Sequence, residues 1–322
     1  MASARPSMTP PPGAEAFLAA AGWDDATICP LAGDASFRRY FRVVRGRDSA
    51  VLMDAPPAHE DSRPFLAVAA HLAGLGFAAP KVLARDLAQG LILLEDFGDA
   101  RMAEMIAAEP AREHGIYAQA IDLLGALHRH PSGDLPPYDM AVYQREVALF
   151  TEWYLPAIGR EPGPGFVGAW EEALAPIAQE RGVTVLRDYH AENIMLLPDG
   201  GLGLLDFQDA LAGHPAYDLV SLLQDARRPV SAELEAAMLD RYGLVDRAAY
   251  ALLGAQRNTK ILGIFTRLWK RDGKPRYLAY QPLVWSHLER DLAHPALAPV
   301  ARWFDANVPA SARADAWREP WG

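Results

Sequence analysis

Three polar residues at fixed spacing in an apolar stretch constrain this chain more than any other feature. Residues 185–208 read V-L-R-D-Y-H-A-E-N-I-M-L-L-P-D-G-G-L-G-L-L-D-F-Q. The apolar residues before Asp188 predict a strand that ends in a loop, and residues 194–197 predict a returning strand with D-G-G as the hairpin turn. Paired strands would hold Asn193 and Asp206 near each other, beside the loop that carries Asp188.

Such an arrangement suits phosphoryl transfer. A carboxylate and an amide oxygen are hard ligands for Mg²⁺, and a second carboxylate can orient a hydroxyl and take its proton. The competing interpretation is an ordinary hairpin, because single Asp and Asn residues in loops are commonly turn-formers. Three of them at this spacing, each beside an apolar strand, favour a catalytic site.

Composition limits the other classes of function. The chain has 322 residues, of which 51% are hydrophobic, and a net charge of -10. This charge argues against general nucleic-acid binding, and no apolar run is long enough to span a membrane. A single cysteine, Cys29, excludes an internal disulfide, fits a reducing compartment and is predicted to be a small core residue.

The order of elements predicts an α+β fold. Residues 1–12 are Pro-rich and predict a flexible tail. Residues 13–95 predict several strands and one main helix with apolar residues at helical spacing. Strand signals largely stop at E-D-F-G, so residues 96–99 are the predicted hinge, and residues 100–322 are predominantly helical.

The motifs resemble those of a known family. R-D-x-x-x-x-N followed by D-F-Q is similar to the catalytic loop and metal-binding motif of the kinase-like fold. The later D-L-V-S-L-L resembles the aminoglycoside phosphotransferase and choline kinase-like family. Within it, G-D-A-S-F-R-R-Y-F-R-V, M-D-A-P-P, L-L-D-F-Q-D-A and A-Y-D-L-V-S-L-L-Q-D-A-R resemble the anomeric N-acetylmuramate and N-acetylglucosamine kinases of cell-wall recycling.

This resemblance covers nearly the whole chain and implies a two-lobed protein-kinase-like fold, with a small antiparallel β-sheet lobe and a larger, mostly helical lobe. It implies that Asp188 is the catalytic residue and that Asn193 and Asp206 hold Mg²⁺. Arg187 and Asp218 would brace the catalytic loop.

The nucleotide side departs from the family pattern. The family has a lysine on the third strand that holds the ATP phosphates, but Met53 stands near that place and the first lysine of the chain is Lys81. Nearby arginines could replace it, with Glu60 orienting one of them, or they could be solvated residues of a strand edge. The predicted ATP-binding residues are Ser36, Phe37, Arg38, Arg39, Arg42 and, in the hinge, Glu95, Asp96 and Phe97.

The acceptor side is predicted from a basic helix over residues 247–271. Seven basic residues and one acidic residue lie between positions 257 and 276. If these basic residues line the acceptor site, they would attract the lactyl carboxylate of N-acetylmuramate and repel a polycationic aminoglycoside. The alternative is that they form a solvated face of the helix. The predicted substrate-binding residues are Glu146, Trp153, Tyr189, His190, Gln208, Asp209, Arg257, Asn258, Lys260 and Arg267.

The sequence therefore predicts an ATP- and Mg²⁺-dependent kinase, cytoplasmic and monomeric, that acts on the anomeric hydroxyl of a small amino sugar, N-acetylmuramate or N-acetylglucosamine. One alternative keeps the fold and changes the acceptor to an aminoglycoside, choline or another small alcohol. Another is a pseudokinase that binds nucleotide or a partner protein, suggested by the missing lysine. The combination of Asp188, Asn193 and Asp206 argues against the pseudokinase.

Overall fold

A computed structural model describes residues 9–31 and 37–314. The chain divides into two compact units: the residues up to Arg101 together with Ile194–Asp209, and Met102–Asn193 together with the residues from Ala210 on. The expected boundary was a single hinge at residues 96–99. The segment Ile194–Asp209 groups with the first unit because its backbone bonds there: the N–H of Leu204 donates to the carbonyl of Ala78 at 2.8 Å.

The first unit is built on a five-stranded antiparallel sheet in the order β1-β2-β3-β5-β4. Alternate residues of its strands point into a core formed with an N-terminal helix; Phe41, Val43 and Leu52 are fully buried there. Its strands and helices are α1 (Ala14–Ala20), β1 (Thr27–Pro30), β2 (Arg39–Arg45), β3 (Asp48–Asp54), α2 (Arg63–Gly74), β4 (Val82–Asp86) and β5 (Leu91–Glu95).

Two features of this unit bear on the predictions. The predicted hairpin is confirmed: β7 (Ile194–Leu196) pairs antiparallel with β8 (Leu202–Leu204), and Ile194 faces Leu204. The prediction for Cys29 is wrong, because β1 is an edge strand and the Cys29 side chain is exposed.

The second unit is mainly helical. A small antiparallel sheet pairs β6 with β9. The sequence does not predict β9, because its three residues, L-A-G, carry no periodic signal. Its elements are α3 (Met102–Ala108), α4 (Glu113–Leu127), α5 (Met140–Leu149), α6 (Leu155–Ala157), α7 (Phe166–Leu174), β6 (Val183–Val185), β9 (Leu211–Gly213), α8 (Ala216–Leu223), α9 (Ala232–Tyr242), α10 (Arg247–Lys270), α11 (Gln281–Leu292) and α12 (Ala298–Asn307).

The long helix α10 is the centre of this unit. The Asp246 side chain caps its start by accepting from the N–H groups of Ala248 and Ala249. At Gly263 the backbone of Leu149, at the end of α5, approaches so closely that a Cβ added to Gly263 would lie 2.4 Å from it. A π-helical turn, Phe150–Tyr154, joins α5 to α6 beside this contact. Among the helices of the described ranges, none is long and apolar enough to cross a membrane.

Candidate active site

The loop after β6 carries Asp188, and a buried carboxylate holds this loop in place. Asp218, in the first turn of α8, accepts hydrogen bonds from the N–H of Leu186 at 2.6 Å and of Arg187 at 2.9 Å. The hydroxyl of Ser221, one turn further along α8, donates to the carbonyl of Arg187 at 3.2 Å. Side chains of α8 therefore hold both the backbone N–H and the backbone carbonyl of Arg187.

Arg187 adopts a backbone conformation that a bulky residue rarely takes, with φ of 70°. Such a residue persists only where its surroundings hold it. Here the two bonds to Asp218 do so on the backbone side, and the guanidinium forms an ion pair with Glu146. The turn at Arg187 sets the direction in which Asp188 leaves the strand.

The Asp188 carboxylate is kept ionised. Burial by itself would raise its pKa, but nearby positive charge outweighs burial and the pKa is lowered. The charges that act on it are those of Lys260, His190, Arg257 and Arg187. His190 contributes only when protonated, and burial lowers its own pKa to about 4, so at neutral pH the lowering depends on the other three.

Asn193 is fixed by the same loop. Its Nδ2 donates to the carbonyl of Asp188 at 3.0 Å and lies 3.4 Å from Nε2 of His190. The backbone N–H of Asn193 donates to the carbonyl of His190 at 2.9 Å. The second unit thus holds Asp188 and Asn193 together in one compact loop.

Asp206 belongs to the first unit. It follows β8, is exposed, and has a φ of 57°, a left-handed value that Asp tolerates better than most residues. The side-chain amide of Gln208 donates to its Oδ1 at 2.8 Å. Phe207 anchors this turn by stacking on Phe65 with ring centroids 5.2 Å apart.

The oxygen donors of Asn193 and Asp206 are of the hard type that Mg²⁺ prefers. Within the described ranges, no group of three or more His, Cys, Asp or Glu side chains could hold a metal ion. The donor chemistry of Asn193 and Asp206 fits Mg²⁺.

The three arginines predicted for the nucleotide side have different partners. Arg38 is buried and its Nη2 lies 3.3 Å from the Glu60 carboxylate. Arg39 is bound by Asp54, at 2.5 and 2.8 Å. The Asp54 carboxylate is the acidic residue of the M-D-A-P-P string, so that string serves the sheet structure.

Arg42 binds the hinge segment. Its guanidinium meets the Asp96 carboxylate at 2.7 Å, the Asp99 carboxylate at 2.9 Å and the carbonyl of Gly98 at 3.1 Å. Phe97 packs against Gly203, where an added Cβ would lie 2.6 Å from its ring. Arg42 and Gly203 therefore hold the hinge from two sides.

Three other residues were predicted to bind the nucleotide: Ser36, Phe37 and Glu95. Ser36 lies outside the described residues. Phe37 is exposed and stacks on His59 with centroids 5.0 Å apart. Glu95 exchanges hydrogen bonds with Lys81: its N–H donates to the Lys81 carbonyl at 2.9 Å, and its carboxylate accepts from the Lys81 N–H at 3.2 Å.

Glu146, predicted to bind substrate, lies at the centre of a buried network of hydrogen bonds and ion pairs. Its carboxylate accepts from Nζ of Lys260 at 3.0 Å, from Nε2 of Gln256 at 3.0 Å and from the hydroxyl of Tyr138, and it pairs with Arg187. Burial raises the pKa of Glu146, but Lys260 and Arg187 outweigh this effect and lower it to about 2. The network positions two of the cations that act on Asp188.

Four more predicted acceptor residues lie in the second unit. The Tyr189 hydroxyl is buried and donates to the carbonyl of Ala120 at 2.8 Å. Asn258 is also buried, and its amide donates to Gln224 at 2.7 Å. Trp153 and Arg267 are both half-buried, and burial lowers the pKa of Arg267.

The structure brings His190, Arg257 and Lys260 together around Asp188. Arg257 is only 4% exposed, so the alternative of a solvated basic face is wrong at this position. Gln208 and Asp209 belong to the first unit with Asp206. Sequence reasoning missed Asp225 and its neighbour Arg227, although the Q-D-A-R end of a quoted string contained both.

A small antiparallel unit, a larger helical unit and a braced R-D-x-x-x-x-N loop define a phosphotransferase of the kinase-like class. Solved structures agree on this fold. Choline kinase LicA from Streptococcus pneumoniae is similar with a TM-score of 0.60 at 14% identity, covering 84% of this chain and 93% of that chain. The ADP-bound aminoglycoside phosphotransferase APH(2'')-Ib is similar with a TM-score of 0.60 at 13% identity, covering 88% and 98%.

Sequence comparison narrows the class. The model of the phosphotransferase enzyme family matches residues 27–253. A protein of Caulobacter vibrioides named N-acetylmuramate/N-acetylglucosamine kinase is 41% identical, with 92% of this chain and 96% of its own length covered. A protein of the same name from Pseudomonas aeruginosa is 39% identical, with 92% and 94% covered. This chain belongs to the phosphotransferase enzyme family, and the predicted kinase-like fold is confirmed.

Proposed function

We propose that this protein is an ATP- and Mg²⁺-dependent kinase that phosphorylates the anomeric hydroxyl of N-acetylmuramate, N-acetylglucosamine or both. The observation that carries the proposal is the Asp188 carboxylate, which a braced loop presents in ionised form among Lys260, Arg257 and Arg187. The choice of acceptor rests on the names of relatives that are 35–41% identical to this chain. The proposed setting is cytoplasmic recycling of cell-wall sugars by a monomer.

Asp188 orients the acceptor hydroxyl and accepts its proton as the oxygen attacks the terminal phosphate of ATP. A carboxylate with a lowered pKa is unprotonated at neutral pH, so it is ready to accept. Asn193 and Asp206 would hold Mg²⁺, which offsets the negative charge that develops on the phosphates. Asp218 and Arg187 position the loop.

Arg38 is the residue we assign to the place of the missing phosphate-binding lysine. Its buried guanidinium is paired with Glu60, which lies in the loop before α2 and would take the part that a helix carboxylate has in kinases. Arg39 and Arg42 are tied to carboxylates within the first unit, so they stabilise the sheet and the hinge. The backbone of residues 95–97 is proposed to meet the adenine.

On the acceptor side, His190, Arg257 and Lys260 are the residues best placed to contact the sugar. Glu146 acts through Lys260 and Arg187 as a positioning residue. Lys260 and Arg257 also oppose a polycationic acceptor, since like charges repel at short range. This disfavours an aminoglycoside as the natural substrate. Trp153, Arg267, Gln208 and Asp209 stay predictions for sugar contacts.

The test is ADP release with MgATP against N-acetylmuramate, N-acetylglucosamine, glucosamine, kanamycin and choline, with phosphorus NMR on every product. We expect a phosphate on C1 of an N-acetyl sugar. Turnover of kanamycin or choline without turnover of either N-acetyl sugar would overturn the acceptor assignment. Binding of ATP without turnover of any acceptor would favour the alternative that the protein is a pseudokinase.

A further inference from the structure

The string Q-D-A-R after α8 is not used by the mechanism above, yet it contains an unusual carboxylate. Asp225 is 1% exposed. Its Oδ1 accepts from the backbone N–H of Arg227 at 2.9 Å, but Oδ2 is buried and has no hydrogen-bond partner among the described residues. A buried polar atom without a partner is costly and calls for an explanation, such as a ligand group.

Asp225 lines a cavity of about 310 Å³ in the second unit. This volume lies in the range of small-molecule sites. Glu192, next to Asn193 in the catalytic loop, lines the same cavity. The full lining is Ala103, Glu192, Asp225, Arg227, Arg228 and Pro229.

Two more buried atoms without partners in the described ranges lie close by, Nδ1 of His190 and Nη1 of Arg257. The charges of Asp225 and Arg257 both act on His190. Nε2 of His190 accepts from Nη1 of Arg227 at 3.3 Å, which assigns the proton of the neutral ring to Nδ1. The cluster thus offers one acceptor, Asp225, and two donors.

The charges around the cavity define what Asp225 can bind. Arg227 is paired with Glu192 at 3.3 Å, and Arg228 is paired with Glu113. These cations are therefore already compensated, whereas Oδ2 of Asp225 is an acceptor only. A carboxylate or phosphate of a ligand would be repelled there; an O–H or N–H group would be bound.

We propose that Asp225 is a specificity-determining residue of the acceptor site. Its Oδ2 accepts a hydrogen bond from a hydroxyl or acetamido N–H of the sugar, at a carbon other than the reacting one. His190 and Arg257 donate to oxygens of the same ring. The inference rests on the proposed function and adds to it the residue that reads the sugar hydroxyls.

The experiment compares the wild type with Asp225→Asn and Asp225→Ala. Acceptors are the N-acetyl sugar that the wild type uses, its 3-, 4- and 6-deoxy analogues, and glucose, which lacks the acetamido group. A site built to bind a donor rejects the analogue without it, by roughly 10⁴-fold to 10⁵-fold in kcat/KM. We expect the wild type to show this loss in kcat/KM with one of the analogues. We expect both variants to lose a similar factor in kcat/KM with the unmodified N-acetyl sugar.

The decisive quantity is the ratio of kcat/KM for the full sugar to kcat/KM for that one analogue. In the variants this ratio should be less than about threefold, because the substitution has already removed the interaction that the analogue lacks. Discrimination that stays at the wild-type level in both variants would overturn the proposal. So would a wild type that loses less than about threefold on every analogue, a result that does not depend on the folding of any variant.

The controls separate this inference from the proposed function. Asp225→Asn keeps the shape and the Oδ1 acceptor, and Asp122→Asn removes a carboxylate from the surface of the same unit. Both should bind ADP like the wild type. Failure of the wild type to phosphorylate either N-acetyl sugar refutes the proposed function; wild-type turnover with an unaltered pattern in the Asp225 variants refutes only the role of Asp225.

Discussion

Replacing Glu146 by Gln removes the buried negative charge that the cations Lys260 and Arg187 share in the helical unit. Burial alone raises the pKa of this carboxyl, yet Lys260 and Arg187 bring it from 4.5 to about 2. At about 1.36 kcal/mol per pKa unit, this lowering corresponds to about 3 kcal/mol of stability at neutral pH. Breaking a buried ion pair from one side costs a similar ~3–5 kcal/mol, so Glu146→Gln should lose about 3 kcal/mol.

The assay is urea unfolding at pH 7, followed by tryptophan fluorescence. Trp170 and Trp285 are fully buried in the helical unit and report its transition. The sign of the pH dependence is fixed as well. The folded pKa lies below the unfolded one, so the stabilisation by Glu146 is present above about pH 4.5 and is lost as the pH falls toward 2. The gap between wild type and variant should narrow accordingly.

The matched control is Asp122→Asn, which removes an exposed ion pair with Arg241 on the same unit. Exposed pairs contribute less than about 1 kcal/mol. A loss in Glu146→Gln no larger than in this control would show that the Glu146 charge does not stabilise the helical unit. A difference between wild type and variant that widens when the pH is lowered from 6 to 4 would show the same.

Two further predictions concern the nucleotide cation and the loop brace. Arg38→Met should raise the KM for ATP about 10-fold or more, whereas Arg63→Met, which removes an exposed pair with Asp61, should leave it within about twofold; equal effects in steady-state kinetics would remove Arg38 from the phosphate site. Asp218→Asn turns one acceptor oxygen into an N–H donor that faces the N–H of Leu186 or Arg187. It should lower kcat at least about 10-fold and cost about 1–3 kcal/mol in urea unfolding; a wild-type kcat would contradict the bracing role.

Local features of the site could be predicted from the sequence. The hairpin β7–β8 and the strand before Asp188 follow from short-range patterns and turn residues, and the structure has them. The sequence also suggests that Glu60 orients one of the nearby arginines, but it does not separate Arg38 from Arg39. That distinction depends on which carboxylate each guanidinium meets in the folded sheet.

The buried polar network could not be predicted. Glu146 meets Gln256 and Lys260 across 110 and 114 positions of sequence, and no periodicity encodes such a pairing. The same limit applies to α10, where Gln256 and Asn258 are completely buried although a polar stripe usually marks a solvated face. Asp225 was missed because a single Asp after a helix looks like a turn residue; its burial is a property of the packed structure.

The most direct test of the central claim is single-turnover phosphorylation by Asp188→Asn. Enzyme in excess is mixed with radiolabelled MgATP and an N-acetyl sugar, and sugar phosphate is separated from ATP over time, with ATP affinity measured in parallel. We expect sugar phosphate to form at least about 10³-fold more slowly than in the wild type, since the proton acceptor is lost, while ATP binds with unchanged affinity. If this variant forms sugar phosphate at the wild-type rate, Asp188 is not the proton acceptor.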